Sequence, residues 1–193
     1  MYEYLNGKLV QKHPTHVVMD VGGIGYFLHI SLHTYSQIKD DEQCRLFVSF
    51  QVKEDSHTLY GFSEEGERRL FEHLISVSGI GPSTGRMILS SLAPDDVRAA
   101  IANGNVPLLK SIKGIGPKTA QRLVLELQDK LKKQGPDALT AAPLRQSVPD
   151  EALSALVMLG FQRQQAEKVL NAIMQAQPES TVETLIKEAL KRL

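Results

Sequence analysis

The strongest constraint in this chain is an internal repeat. Displacing the 193-residue sequence by 35 positions lays Leu74 on Leu109, Val77 on Ile112, Gly79-Ile80-Gly81-Pro82 on Gly114-Ile115-Gly116-Pro117 and Thr84 on Thr119. Apolar residues stay in step through Ile88 and Leu123. Each copy reads as an apolar helix, a tight Gly-Ile-Gly turn and a second helix opened by proline, whose missing N–H costs nothing in a first turn. Glycine adopts backbone angles closed to other residues and lets a ligand approach main-chain N–H groups. The following helix N-terminus adds unpaired donors and partial positive charge at the same place. One such turn reads equally well as a corner in a helical bundle. Two in register, with Lys118 and Arg122 in the first turns of the second copy's following helix, point to phosphate binding.

The candidate DNA-binding residues are therefore Gly79, Ile80, Gly81, Ser83 and Thr84 in the first copy, and Gly114, Ile115, Gly116, Lys118, Thr119 and Arg122 in the second. Ile80 and Ile115 are expected to point inward and lock the helices. The first copy has Ser83 where the second has Lys118, so it is expected to bind through main-chain amides with Ser83 or Thr84. Nothing in such a unit reads base edges, which predicts sequence-independent binding.

Net charge is zero, 22 basic against 22 acidic residues. That average hides a net-positive middle segment, residues 63–135, in whose second half Lys110, Lys113, Lys118, Arg122, Lys130, Lys132 and Lys133 face only Glu126 and Asp129. A local footprint of this kind suits phosphate neutralisation and counterion release.

The fold class expected is α+β and multidomain. Residues 1–62 alternate as five short strands, Leu5 to Val10, His16 to Val21, Gly25 to Leu32, Cys44 to Val52 and Thr58 to Phe62. They are parted by His13-Pro14, Gly22-Gly23 and Lys39-Asp40-Asp41, a pattern that suits an OB-fold barrel. Residues 63–135 turn helical, with Ser63 as the expected cap of the first helix, and form an all-α tandem helix-hairpin-helix domain. Residues 136–149 hold three prolines and no sustained period, as a flexible linker would. Residues 150–193 offer three amphipathic helices, a UBA-like bundle.

Other classes fit less well. No apolar run approaches the roughly 18 residues of a membrane span, and Met1 to Val10 lacks a signal-peptide layout, so a cytoplasmic address is expected. The one cysteine, Cys44, lies in an apolar stretch and is expected to be a buried thiol. Gly114 to Thr119 is too short for a Walker loop, so any ATP is hydrolysed by a partner. The six histidines lack the companions of a metal set, and no cofactor is expected. The competing reading is a helix-hairpin-helix DNA repair enzyme, a glycosylase or a junction nuclease, for which Glu54 and Asp55 are the one tempting acidic pair. A protein-interaction adaptor is a third.

The paired hairpins match the helix-hairpin-helix motif and resemble the middle domain of the RuvA family of bacterial Holliday-junction-binding proteins. The resemblance spans the chain. It includes Leu5-Asn6-Gly7-Lys8-Leu9, Asp20-Val21-Gly22-Gly23-Ile24-Gly25-Tyr26, Lys53-Glu54-Asp55 with Leu59-Tyr60-Gly61-Phe62, and Ala155-Leu156-Val157-Met158-Leu159-Gly160-Phe161. It implies a homotetrameric plate, single or sandwiched as an octamer, that holds a four-way junction open and planar. Glu54 and Asp55 would form an acidic pin at its centre. It further implies a C-terminal bundle that recruits the hexameric ATPase motor RuvB through an apolar patch, with Leu156, Leu159, Phe161 and Ile186 as candidates. RuvC resolvase is an expected partner, and branch migration in recombination, DNA repair and the SOS response to DNA damage is the expected setting.

Overall fold

The computed structural model describes residues 2–39, 43–134, 148–176 and 180–193. The chain divides into two compact units, residues 1–140 and 141–193. Most of the expected linker, and the Asp40-Asp41 turn, lie outside the described residues.

In the first unit the strands β1 (Tyr4–His13), β2 (His16–Val21), β3 (Ile24–Ile30), β4 (Gln43–Val52) and β5 (His57–Phe62) close into a barrel of order β1-β2-β3-β5-β4. Every pairing is antiparallel except β3 with β5. Side chains alternate faces along a strand, and the inward set, Val17, Met19, Leu28, Ile30, Leu46 and Val48, fills the interior. The third strand stops at Ile30, not at the expected Leu32, because Ser31 turns the chain into a short helix, α1 (Leu32–Gln37), that the sequence reading missed. Ser31 caps it, its Oγ accepting the Thr34 N–H at 2.9 Å.

Helices α2 (Glu65–Ser76), α3 (Pro82–Ser91), α4 (Pro94–Ala102), α5 (Val106–Ser111) and α6 (Pro117–Gln134) follow. Their shared core takes in Tyr60 and Phe62 of β5, which pack on fully buried Phe71 with ring centroids 5.1 and 4.9 Å apart. The expected cap at Ser63 is not formed. Helix α2 begins at Glu65 with Glu64 as its N-cap and no side-chain capping bond, while the Ser63 N–H donates to Thr34 Oγ1 at 3.3 Å. A polar lock completes the barrel-to-helix contact. Glu67 is 1% exposed, and its carboxylate accepts from Ser31 Oγ at 2.5 Å and Thr34 Oγ1 at 2.6 Å. Burial pushes its pKa up, against those two hydrogen bonds.

The second unit packs α7 (Val148–Met158), α8 (Arg163–Ala176) and α9 (Val182–Leu190) around Leu153, Leu156, Leu170, Ile173 and Leu185. Val148 and Pro149, expected in the linker, belong to α7.

Candidate nucleic-acid interface

The two hairpins, α2 to α3 and α5 to α6, share one backbone design. In the first, the Val77 N–H donates to Leu74 O at 3.2 Å, Ile80 N–H to Val77 O at 3.0 Å and Gly85 N–H to Gly81 O at 2.9 Å. In the second, Ile112 N–H donates to Leu109 O at 3.3 Å, Ile115 N–H to Ile112 O at 3.0 Å and Ala120 N–H to Gly116 O at 2.9 Å. Each bond recurs 35 residues on. The turns require glycine at matching places, Gly79 at φ +93° and Gly114 at φ +89°.

Gly81 differs from Gly79 in an informative way. Its φ of −85° is open to any residue, and a Cβ added there would meet nothing within 4 Å. A Cβ at Gly116 would also find open space. The fold therefore does not forbid a side chain at either position, and what the bare glycines leave is accessible main chain at the start of a helix. Gly81 is the N-cap of α3, which has no side-chain cap. Such an end, with donors turned outward, can hold an oxyanion without a metal or a cationic residue.

Ile80 and Ile115 are 4% and 5% exposed, so their side chains lock the hairpins into the core and any ligand contact there is main chain. Ser83 and Lys118 are exposed, and Thr84 and Thr119 half-buried, at the first turns of α3 and α6. Exposed Lys110 and Lys113 flank the second turn. Arg122 has a second task. Its Nη1 donates to Ser78 O at 3.2 Å, tying α6 to the first turn, and its Nε lies 3.7 Å from Glu126 Oε1. Arg86, which the sequence reading passed over, stands on α3 one turn beyond Ser83 and donates from Nη1 to Thr15 O at 2.9 Å. Only its i,i+3 spacing from Ser83 could have signalled it.

Glu54 and Asp55 are exposed in the loop between β4 and β5, closed by the Lys53 N–H donating to Ser56 O at 2.8 Å. In the second unit the apolar candidates separate. Leu156 is fully buried core and is withdrawn as a contact residue, because no partner can reach it. Phe161 and Ile186 are partly buried against that core. Leu159 is 61% exposed, and it continues an exposed run with Met158 at 89% and Val157 at 40% that the sequence reading did not single out. Elsewhere, burial pushes the half-buried Cys44 thiol up. Among the described residues no helix is long and apolar enough to cross a membrane.

Known proteins align with all of this architecture. Residues 1–61 match the family described as RuvA N terminal domain, 71–129 the SAM-like helix-hairpin-helix tandem, and 147–193 RuvA, C-terminal domain. Relatives named Holliday junction branch migration complex subunit RuvA include one from Christiangramia forsetii, 52% identical over 193 residues and covering 100% of both chains. One from Flavobacterium psychrophilum is 48% identical with the same coverage. One from Bacteroides thetaiotaomicron is 45% identical, again over 100% of each chain. With full-length identity near one half and both terminal RuvA domains flanking the doubled hairpin, the chain belongs to the RuvA family.

Proposed function

We propose that this chain is the DNA-binding, non-catalytic subunit of a branch-migration complex, working in the cytoplasm on four-way Holliday junctions in recombination and repair. The observation that carries the reading is the pair of hairpins with identical hydrogen bonding and unobstructed glycine main chain, one beside Ser83 and the other beside Lys118. Two phosphate grips at a fixed separation hold a backbone without reading its sequence. Four copies would present four such pairs, one for each arm of a junction, and hold it open and flat.

In that tetramer the Glu54–Asp55 loops would meet near the axis, where gathered carboxylates repel phosphates and keep the arms apart. The C-terminal bundle would recruit the hexameric RuvB motor, with Leu159 and its exposed neighbours Met158 and Val157 as the contact surface. ATP hydrolysis would belong to that motor, and RuvC resolvase would act on the same junction. The test is a mobility-shift comparison of a four-way junction with linear duplex of equal length, alongside a mass measurement of the free protein. Preference for the junction together with a tetramer or octamer mass is expected. Equal binding of both DNAs, or Mg²⁺-dependent strand cleavage abolished by Glu54→Gln, would overturn the reading.

A further inference from the structure

The outer face of the barrel beside the first hairpin carries a stack of rings that the hairpins do not account for. His13 and His16 stack at 4.6 Å, and His16 and Phe27 at 4.6 Å with only 19° between their planes. The row continues edge-on to His29 at 5.1 Å. Register explains the alignment, since β2 pairs with β3 through His16↔His29 and Val18↔Phe27, and Phe27 and His29 share one outward face. Phe27 is 48% exposed. A large ring lying open on a strand, its plane set by a neighbouring ring, is a rigid flat surface.

Its position relates it to the phosphate grip. Arg86 bonds the carbonyl of Thr15, next to His16, and stands on the same face of α3 as Ser83, one helical turn or roughly 5.4 Å away. Arg86 thus links the helix that carries Ser83 to the loop residue next to His16. Burial, then the charges of Arg86 and His16, holds His29 below the ordinary imidazole value, so that ring is neutral near pH 7. The surface thus pairs a cationic approach with exposed planar rings, the combination that binds single-stranded nucleic acid through base stacking.

We propose that the His16–Phe27 face is a stacking platform for an unpaired nucleobase of the DNA strand held at the first hairpin. This rests on the junction-binding reading and adds a base contact that the hairpins do not provide. At a crossover, where strands exchange partners, bases are transiently unpaired, and a platform joined to the first hairpin through Arg86 and Thr15 would hold one while it waits. Stacking tolerates all four bases, so sequence independence is preserved.

The experiment uses the full-length protein with three probes: a junction carrying 5-iododeoxyuridine at the crossover, a short oligothymidine strand, and a fully paired duplex. Wild type is expected to photo-cross-link at His16 or Phe27. Phe27→Ala should lose the cross-link and bind oligothymidine about fivefold or more weakly, with paired duplex unaffected, and Phe27→Trp should retain both signals. Unchanged oligothymidine binding and cross-linking elsewhere in Phe27→Ala would overturn the platform. A lowered oligomer mass in Phe27→Ala would also overturn it, by making the face a subunit contact. If wild type itself shows no junction preference, the failure lies with the underlying function and not with the platform.

Discussion

The first hairpin is clamped to the barrel, whereas the second is clamped to the first. Glu67 of α2 reaches Ser31 and Thr34, Arg86 of α3 reaches Thr15, and Ser90 Oγ accepts the Leu32 N–H at 3.1 Å. The second hairpin holds the first turn through Arg122 to Ser78 O, and holds the intervening helix α4 through Gln128 Nε2, which donates to Ala102 O at 2.9 Å. Charge runs the other way. Lys113 and Lys118 of the second copy stand where the first has Ser78 and Ser83. On the proposed reading the backbone would supply the common grip and the side chains divide the remaining work: the first copy would fix a bound strand against the barrel, and the second would supply long-range attraction.

The largest effect should come from breaking what the copies share. In Gly79→Ala and Gly114→Ala a Cβ is forced into the left-handed region at a cost of about 1–3 kcal/mol, or the turn reshapes and misdirects its donors. Each should weaken junction binding more than tenfold in a mobility shift, and the double variant more than a hundredfold. Similar losses from the two single variants would support a common backbone grip, and a loss confined to Gly114 would break it. Gly81→Ala sharpens the point, because the fold has room for the methyl there. It should keep the wild-type melting temperature and still lose affinity.

Next is the clamp itself. Glu67 accepts two hydroxyl donors whose own oxygens already accept backbone N–H groups, which leaves the two N–H donors of a glutamine amide poorly matched there. Glu67→Gln should destabilise the protein by about 1–3 kcal/mol in denaturant unfolding. The pKa is raised in the folded state, so the carboxyl's contribution is full below the ordinary value of 4.5 and declines as pH climbs through the raised value. The gap between wild type and Glu67→Gln should therefore be widest in mild acid and narrow toward neutrality. A gap that widens with pH would contradict this account of the lock.

How much of this was legible in the sequence follows the range of the interactions. The hairpins were readable because glycine, proline and the 35-residue period are local signals. The five strands were readable from alternation, but α1 was not, since six residues give too little period and its capping Ser31 falls inside the expected third strand. Glu67 and Arg86 were invisible because their partners lie 36, 33 and 71 residues away. Leu156 and Leu159 look alike in a helical pattern. Only the packing of α8 and α9 decides that the first is core and the second open.

The charge difference between the copies offers a smaller, reciprocal test. Lys118→Ala should weaken junction binding severalfold for every sequence and reduce the slope of log affinity against log salt by about one. Ser83→Lys should do the reverse, adding about one to the slope, since it places the same charge at the same point of the matching helix. If the first site does not respond to an added lysine, the two sites do not face equivalent phosphates.

The smallest effect should be at Arg122, and its direction separates two roles. As a strap, its guanidinium is occupied by Ser78 O and Glu126, and it carries little charge to a phosphate. Half-exposed at 51%, it should cost under about 0.5 kcal/mol of stability when replaced by alanine. Junction affinity should then fall about twofold, through looser spacing of the hairpins, with the salt slope unchanged. A drop of about one in that slope, matching Lys118→Ala, would instead make Arg122 a direct phosphate contact. Its bond to the first turn would then be a resting position left when DNA binds.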